Sequence, residues 1–157
     1  MSDSVRRGLA VACATLILIL AGCTGGEPEM APEEARDQLV DVIDQTVALF
    51  DEETWEDILS PALGPCSLDN GEGVDYRYAK SGDPDANPRT AVERVAALWT
   101  ELGIEVRTRL DTARPAVFGV GGPIRTIDFS AAPDSYSVAG TSLCVPGDAT
   151  EMILDGE

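Results

Sequence analysis

The sequence predicts an α+β fold: an antiparallel sheet of four to five strands with two helices packed on one face, and one disulfide. Three observations lead there. Residues 32–50 and 88–102 carry apolar side chains at helical spacing, whereas five stretches after residue 73 are short, two of them, 74–80 and 104–110, alternate, and the last three are separated by turns of Gly, Pro and Asp. The resulting order of helix, strand, helix and four strands suits an antiparallel sheet covered on one side. Two cysteines, Cys66 and Cys144, bracket almost all of the strand region.

In chain order, Arg6 and Arg7 precede an apolar stretch over 9–20, too short to span a bilayer comfortably, and Leu20-Ala21-Gly22-Cys23 reads as a lipobox. Residues 1–22 are therefore expected to be a lipoprotein signal peptide. Cleavage would leave Cys23 as the first mature residue, carrying a thioether-linked diacylglycerol. Two or three acyl chains hold a protein to a membrane durably where one does not. Residues 23–31 form a lipidated tether of small residues and Pro.

Pro32 suits the first position of a helix, Glu33 and Glu34 suit its positive end, and Leu39, Val42, Ile43, Thr46, Leu49 and Phe50 make its apolar stripe. Residues 51–59 are expected to add a short helical turn that packs Trp55, Ile58 and Leu59, before Pro61, Gly64 and Pro65 stop it. Residues 74–80 alternate, with Tyr76 and Tyr78 on one side and Asp75 and Arg77 on the other, as in a strand. Asn87 caps and Pro88 opens the second helix, whose face is Val92, Val95, Ala96, Trp99 and Leu102; Gly103 ends it. Residues 104–110 then alternate Ile104, Val106, Thr108 and Leu110 with Glu105, Arg107 and Arg109. Stretches 116–120, 125–130 and 135–145 complete a meander, with turns at Gly121-Gly122-Pro123 and Ala132-Pro133-Asp134. One domain, 32–147, is followed by a polar tail, 148–157.

Composition narrows the function classes. The chain carries a formal net charge of −17. Removing residues 1–22 takes away Arg6, Arg7 and Asp3, which leaves 9 basic and 27 acidic residues. Such a surface repels nucleic acid and anionic headgroups, so no nucleic-acid partner is expected. The chain has no histidine, which excludes His-dependent triads, His-ligated zinc and the usual neutral-pH general base. Cys13 leaves with the signal and Cys23 is lipidated, so Cys66 and Cys144 remain as a pair in an oxidising compartment and are expected to form a disulfide. They lack the C-x-x-C spacing of a redox pair.

Several of these residues together resemble a broad group of small, largely uncharacterised lipoproteins of actinobacteria. The likeness lies in the lipobox, in Pro65-Cys66 before a Tyr-containing strand, in Arg94-Val95-Ala96-Ala97-Leu98-Trp99 running to Leu102-Gly103, and in Ser142-Leu143-Cys144-Val145-Pro146-Gly147. It implies a fold and an address, and brings no activity with it.

Candidate chemistry is sparse. Asp83, Asp85 and Asn87 open like a calcium loop, but Pro88 stands where glycine is needed and Arg94 where the bidentate glutamate belongs, so a turn and helix cap is the reading. No nucleophile-elbow, phosphate-loop or dinucleotide fingerprint occurs. No metal and no cofactor is expected, and the chain reads as a non-enzyme. The cations are unevenly placed: between Glu27 and Asp57 there are 12 acidic residues and one basic, whereas eight of the nine mature basic residues lie between Arg77 and Arg125. Arg77, Arg107 and Arg109 fall opposite the apolar strand residues, so a helix-free sheet face would carry them as a candidate binding face for an anionic or peptide ligand. The expectation is a non-catalytic binding or interaction module of the cell envelope, held on the extracytoplasmic side of the membrane through Cys23, with an envelope protein or small ligand as partner. The alternatives are a carrier for an apolar envelope molecule, held between helices and sheet, and a carboxylate-dependent hydrolase.

Overall fold

A computed structural model describes residues 30–50, 54–69, 71–83 and 86–155. The signal peptide, Cys23, most of the tether and Asp85 lie outside the described residues. The element order is α1 (Pro32–Val47), β1 (Trp55–Leu68), β2 (Gly71–Gly82), α2 (Pro88–Glu101), β3 (Glu105–Arg109), β4 (Ala116–Val120), β5 (Thr126–Ala132), β6 (Ser135–Thr141), β7 (Val145–Pro146) and α3 (Ala149–Asp155). All strand pairs are antiparallel, in the order β1-β2-β6-β5-β4-β3, with β7 paired to β2 beyond the end of β6.

The α+β class holds, with α1 and α2 on one face, but the sheet has seven strands where four to five were expected. β1 accounts for most of the difference. The helical turn expected over 51–59 gives way at Trp55 to an extended strand with register shifts at Asp57/Leu59 and Leu59/Ala62. Pro61 and Pro65 lack an N–H to donate, which an edge strand tolerates, and β2 supplies the partner that satisfies the remaining backbone. Ile58 and Leu59, expected in the core, are exposed. The other added strand arises because the expected 135–145 stretch breaks at Ser142. There the Tyr76 N–H donates to Ser142 Oγ at 2.9 Å, the Ser142 N–H donates to the Tyr76 carbonyl at 2.9 Å, and the hydroxyl donates to the Leu143 carbonyl. These bonds hold Ser142 to β2 where the regular ladder ends, and the chain turns so that Cys144 reaches Cys66 across β2. The disulfide is present, with Cα atoms 6.0 Å apart across a separation of 78 residues.

The core lies between the helices and the sheet. α1 buries Ala35, Leu39, Val42, Ile43, Thr46 and Val47, and α2 buries Ala91, Val92, Val95 and Trp99. Trp99 is fully buried, as its helical spacing predicted, and its indole N–H donates to Thr46 Oγ1 at 2.9 Å, which ties the two helices together. Phe129 stacks on Phe50 and meets Tyr136 edge-on, so an aromatic group closes one end of the core. Asn87 caps α2 by accepting from the Thr90 N–H at 3.1 Å, the role assigned to it. At the other end of the chain, Ala149–Asp155 of the expected tail is helical. Asp148 accepts from the Thr150 and Glu151 N–H groups, and Asp148 followed three residues later by Glu151 is the sequence sign of such a start.

Candidate functional site

Strand register defines what the helix-free face displays. Across β2, β6, β5, β4 and β3, one row reads Arg77, Thr141, Thr126, Val120 and Glu105. The next reads Ala79, Ala139, Asp128, Phe118 and Arg107, and the third Ser81, Ser137, Ser130, Ala116 and Arg109. Arg77, Arg107 and Arg109 therefore share the face, but they do not form one cluster. Three strands separate β2 from β3, and at 4.7–4.9 Å per strand Arg77 stands about 19 Å from the other two. The chain leaves β2, passes through α2 on the covered side and re-enters at the opposite edge, so strands adjacent in sequence are not neighbours here.

Arg107 and Arg109 lie at that opposite edge, on β3, with an aromatic neighbour that the sequence reading did not single out. Phe118 sits directly across from Arg107, and the Arg109 guanidinium lies 5.6 Å from its ring centroid. Phe118 is 37% and Val120 49% exposed. A shallow groove of about 280 Å³ is lined by Glu105, Val106 and Arg107 of β3 and by Phe118 and Val120 of β4, while β3 has an outer side that faces away from β4. Among the described residues no strand pairs with that outer side, which leaves backbone donors and acceptors open beside the groove. Phe118 and Val120 escaped notice because β4 reads Ala-Val-Phe-Gly-Val, apolar throughout, and such a strand does not say which alternate residues face outward.

The remaining cations separate into those already engaged and those not. Lys80 lies 3.0 Å from Asp44 and 3.6 Å from Asp57, and the Tyr78 hydroxyl donates to Asp57 at 2.9 Å, so this group joins β2, α1 and β1. Burial pulls the Lys80 pKa down, but its hydrogen bonds to Tyr78 and Asp44 outweigh that and leave the ammonium above its ordinary value. Arg89 pairs with Glu93 and Asp111, Arg94 donates to the Leu49 carbonyl, and Arg125 pairs at 3.3 Å with the buried Asp75. Arg36 pairs with Asp37. Among the described residues, Arg77, Arg94, Arg107, Arg109 and Arg114 are the cations with no ion pair, and of these Arg94 is held by the Leu49 carbonyl. Arg107, Arg109 and Arg114 all belong to β3 and the loop that follows it, a concentration of unneutralised charge in a chain of net charge −17.

A second trough, about 190 Å³, crosses the middle of the same face between Leu59, Arg77, Thr141, Ala139, Thr126 and Asp128. Asp128 is an exposed position, and partial desolvation by the walls of the trough raises its carboxyl above its ordinary value. Among the described residues no group of three or more Cys, Asp or Glu is placed to hold a metal ion, and no helix is long and apolar enough to cross a membrane.

The fold is similar to that in the crystal structure of a DUF4853 family protein from the actinobacterium Actinomyces odontolyticus, with a TM-score of 0.54 at 19% identity, over 78% of this chain and 72% of that one. At that identity the likeness is one of fold. No protein-family model and no curated protein matches the sequence.

Proposed function

We propose that this chain is a lipid-anchored, extracytoplasmic binding module of the cell envelope, without catalytic activity, whose working surface is the β3 side of the helix-free sheet face. The observation that carries the reading is the juxtaposition at that edge of two unpaired arginines, an exposed aromatic ring and an open strand. Guanidinium groups supply forked donors for carboxylate or phosphate, and Phe118 with Val120 supplies apolar contact beside them. Such a surface fits an acidic peptide or protein segment. The interior weighs against the carrier alternative, because Trp99, Phe129, Tyr136, Leu39 and Ile43 fill the layer between helices and sheet. The lipobox supports the anchor and the extracytoplasmic address.

The test is charge reversal. Arg107→Glu with Arg109→Glu is expected to abolish pull-down of the envelope partner from solubilised membranes, while Arg77→Glu, about 19 Å away, leaves it intact. Both variants change exposed positions and are expected to keep stability within about 0.5 kcal/mol of wild type. Undiminished pull-down by the double variant would move the site to the acidic outer face of α1.

A further inference from the structure

We propose that α3 is a second membrane contact: Ile153 and Leu154 dip into the bilayer that holds Cys23 and set the domain with its β1-β2-β7 side toward the lipid and its β3 edge away. The inference rests on the reading of Cys23 as a lipid anchor. Its starting point is where the chain enters the fold. Met30, the first described residue, packs on a satellite cluster formed by Ala35, Val74, Val145 and Ala149, which Met152 also joins. Six residues, 24–29, lie between Cys23 and Met30. Fully extended, that segment reaches about 25 Å. Whatever shares the Met30 cluster is therefore kept within a short reach of the acyl chains, and α3 shares it.

The orientation of α3 follows from its own packing. The Asp148 cap fixes its first turn, Ala149 and Met152 bury one side against Val74 and Val145, and the opposite side is turned outward. Ile153 is then 57% and Leu154 80% exposed, and Leu154 is the most exposed large apolar residue among those described. The other exposed large apolar residues among those described are Ile58 and Leu59 on the edge strand β1, and Phe118 and Val120 on β4 next to β3, three strands beyond β2. Among the described residues the exposed apolar side chains thus fall on the β1-β2-β7 side, on α3 and on β1, and at the far edge beside β3.

The flanking charge narrows the contact further. Asp148, Glu151 and Asp155 surround the pair, so attraction to anionic headgroups cannot drive it, and the contact is a shallow apolar one. A second copy of this acidic chain has no tether bringing it to the patch, and charge repulsion opposes its approach. The bilayer is already within reach.

The experiment uses the mature protein purified from membranes after expression of the full chain, with Leu154→Trp and, as the far-edge control, Thr108→Trp. Each is placed in nanodiscs of phosphatidylcholine with and without brominated acyl chains, and the emission of the wild-type protein is subtracted. The added tryptophan of Leu154→Trp is expected to lose about half its emission to brominated lipid, as a side chain seated at the headgroup and acyl boundary would. That of Thr108→Trp is expected to lose none. Equal, small quenching at both positions, in protein whose intact mass shows acyl chains on Cys23, overturns the inference and leaves the anchor standing. A blue-shifted but unquenched emission from Leu154→Trp also overturns it and assigns the patch to another protein chain. An unmodified Cys23 removes the anchor reading and this inference with it.

Discussion

Asp128 shows what the open sheet face demands of a charged side chain. Its neighbours across the strands are Ala139 and Phe118, neither of which donates a hydrogen bond from its side chain. Partial desolvation at this exposed position therefore disfavours its charged form and raises its pKa in the folded state. For a carboxyl whose folded value lies above the unfolded one, the unfolded chain gives up its proton first. The contribution to stability is fully present below the ordinary carboxylate range and is lost as pH rises through the folded value. Asp128→Asn removes that loss. It is expected to be more stable than wild type at neutral pH, with a difference that shrinks as the pH falls toward 3, as read by denaturant unfolding at both pH values. A pH-independent difference would contradict this account. At this scale the sequence was informative where spacing fixes direction. Trp99 and Asn87 follow from helical phase and capping chemistry. Phe118 and the Asp75–Arg125 pair do not, because each depends on a neighbour more than ten residues away.

Among the elements, α1, α2 and the strands from β2 to β6 were legible, since each has its own period. β1 was not. Trp55, Ile58 and Leu59 repeat at helical spacing, and the prolines that follow look like a stop, yet backbone pairing with β2 settles the conformation. Gly82 records how close that pairing is: a Cβ there would come within 2.7 Å of the Trp55 ring. The disulfide then holds this irregular edge strand to the segment entering β7, which secures β1 and β7 on either side of β2. Replacing Cys66 and Cys144 together by Ala is expected to cost about 4 kcal/mol in denaturant unfolding against the oxidised protein. A loss below about 1 kcal/mol would mean that strand pairing alone secures β1. α3 carried a legible signal in the Asp148 and Glu151 cap pair, but its short length hid it in a polar stretch.

Over the whole molecule, the chain is polarised from one sheet edge to the other. The Met30 cluster and α3 lie on the β1-β2-β7 side, while Arg107, Arg109 and the groove lie at β3. The charge asymmetry of the sequence anticipated a basic region but not its place, because place depends on strand order. The connection through α2 carries the chain from β2 to the far edge, and the meander from β3 to β6 brings it back. That path splits the three arginines singled out from sequence into one on β2 and two on β3. It also puts the proposed working edge at the greatest distance across the sheet from the proposed anchor. The most direct measurement is photo-crosslinking in living cells from a benzoylphenylalanine placed at Val120 in the groove, compared with one at Glu93 on the exposed side of α2. An adduct is expected from position 120 that disappears when Arg107 and Arg109 are both changed to Glu, and none from position 93. An adduct from position 93 with none from position 120 would contradict the proposed working edge.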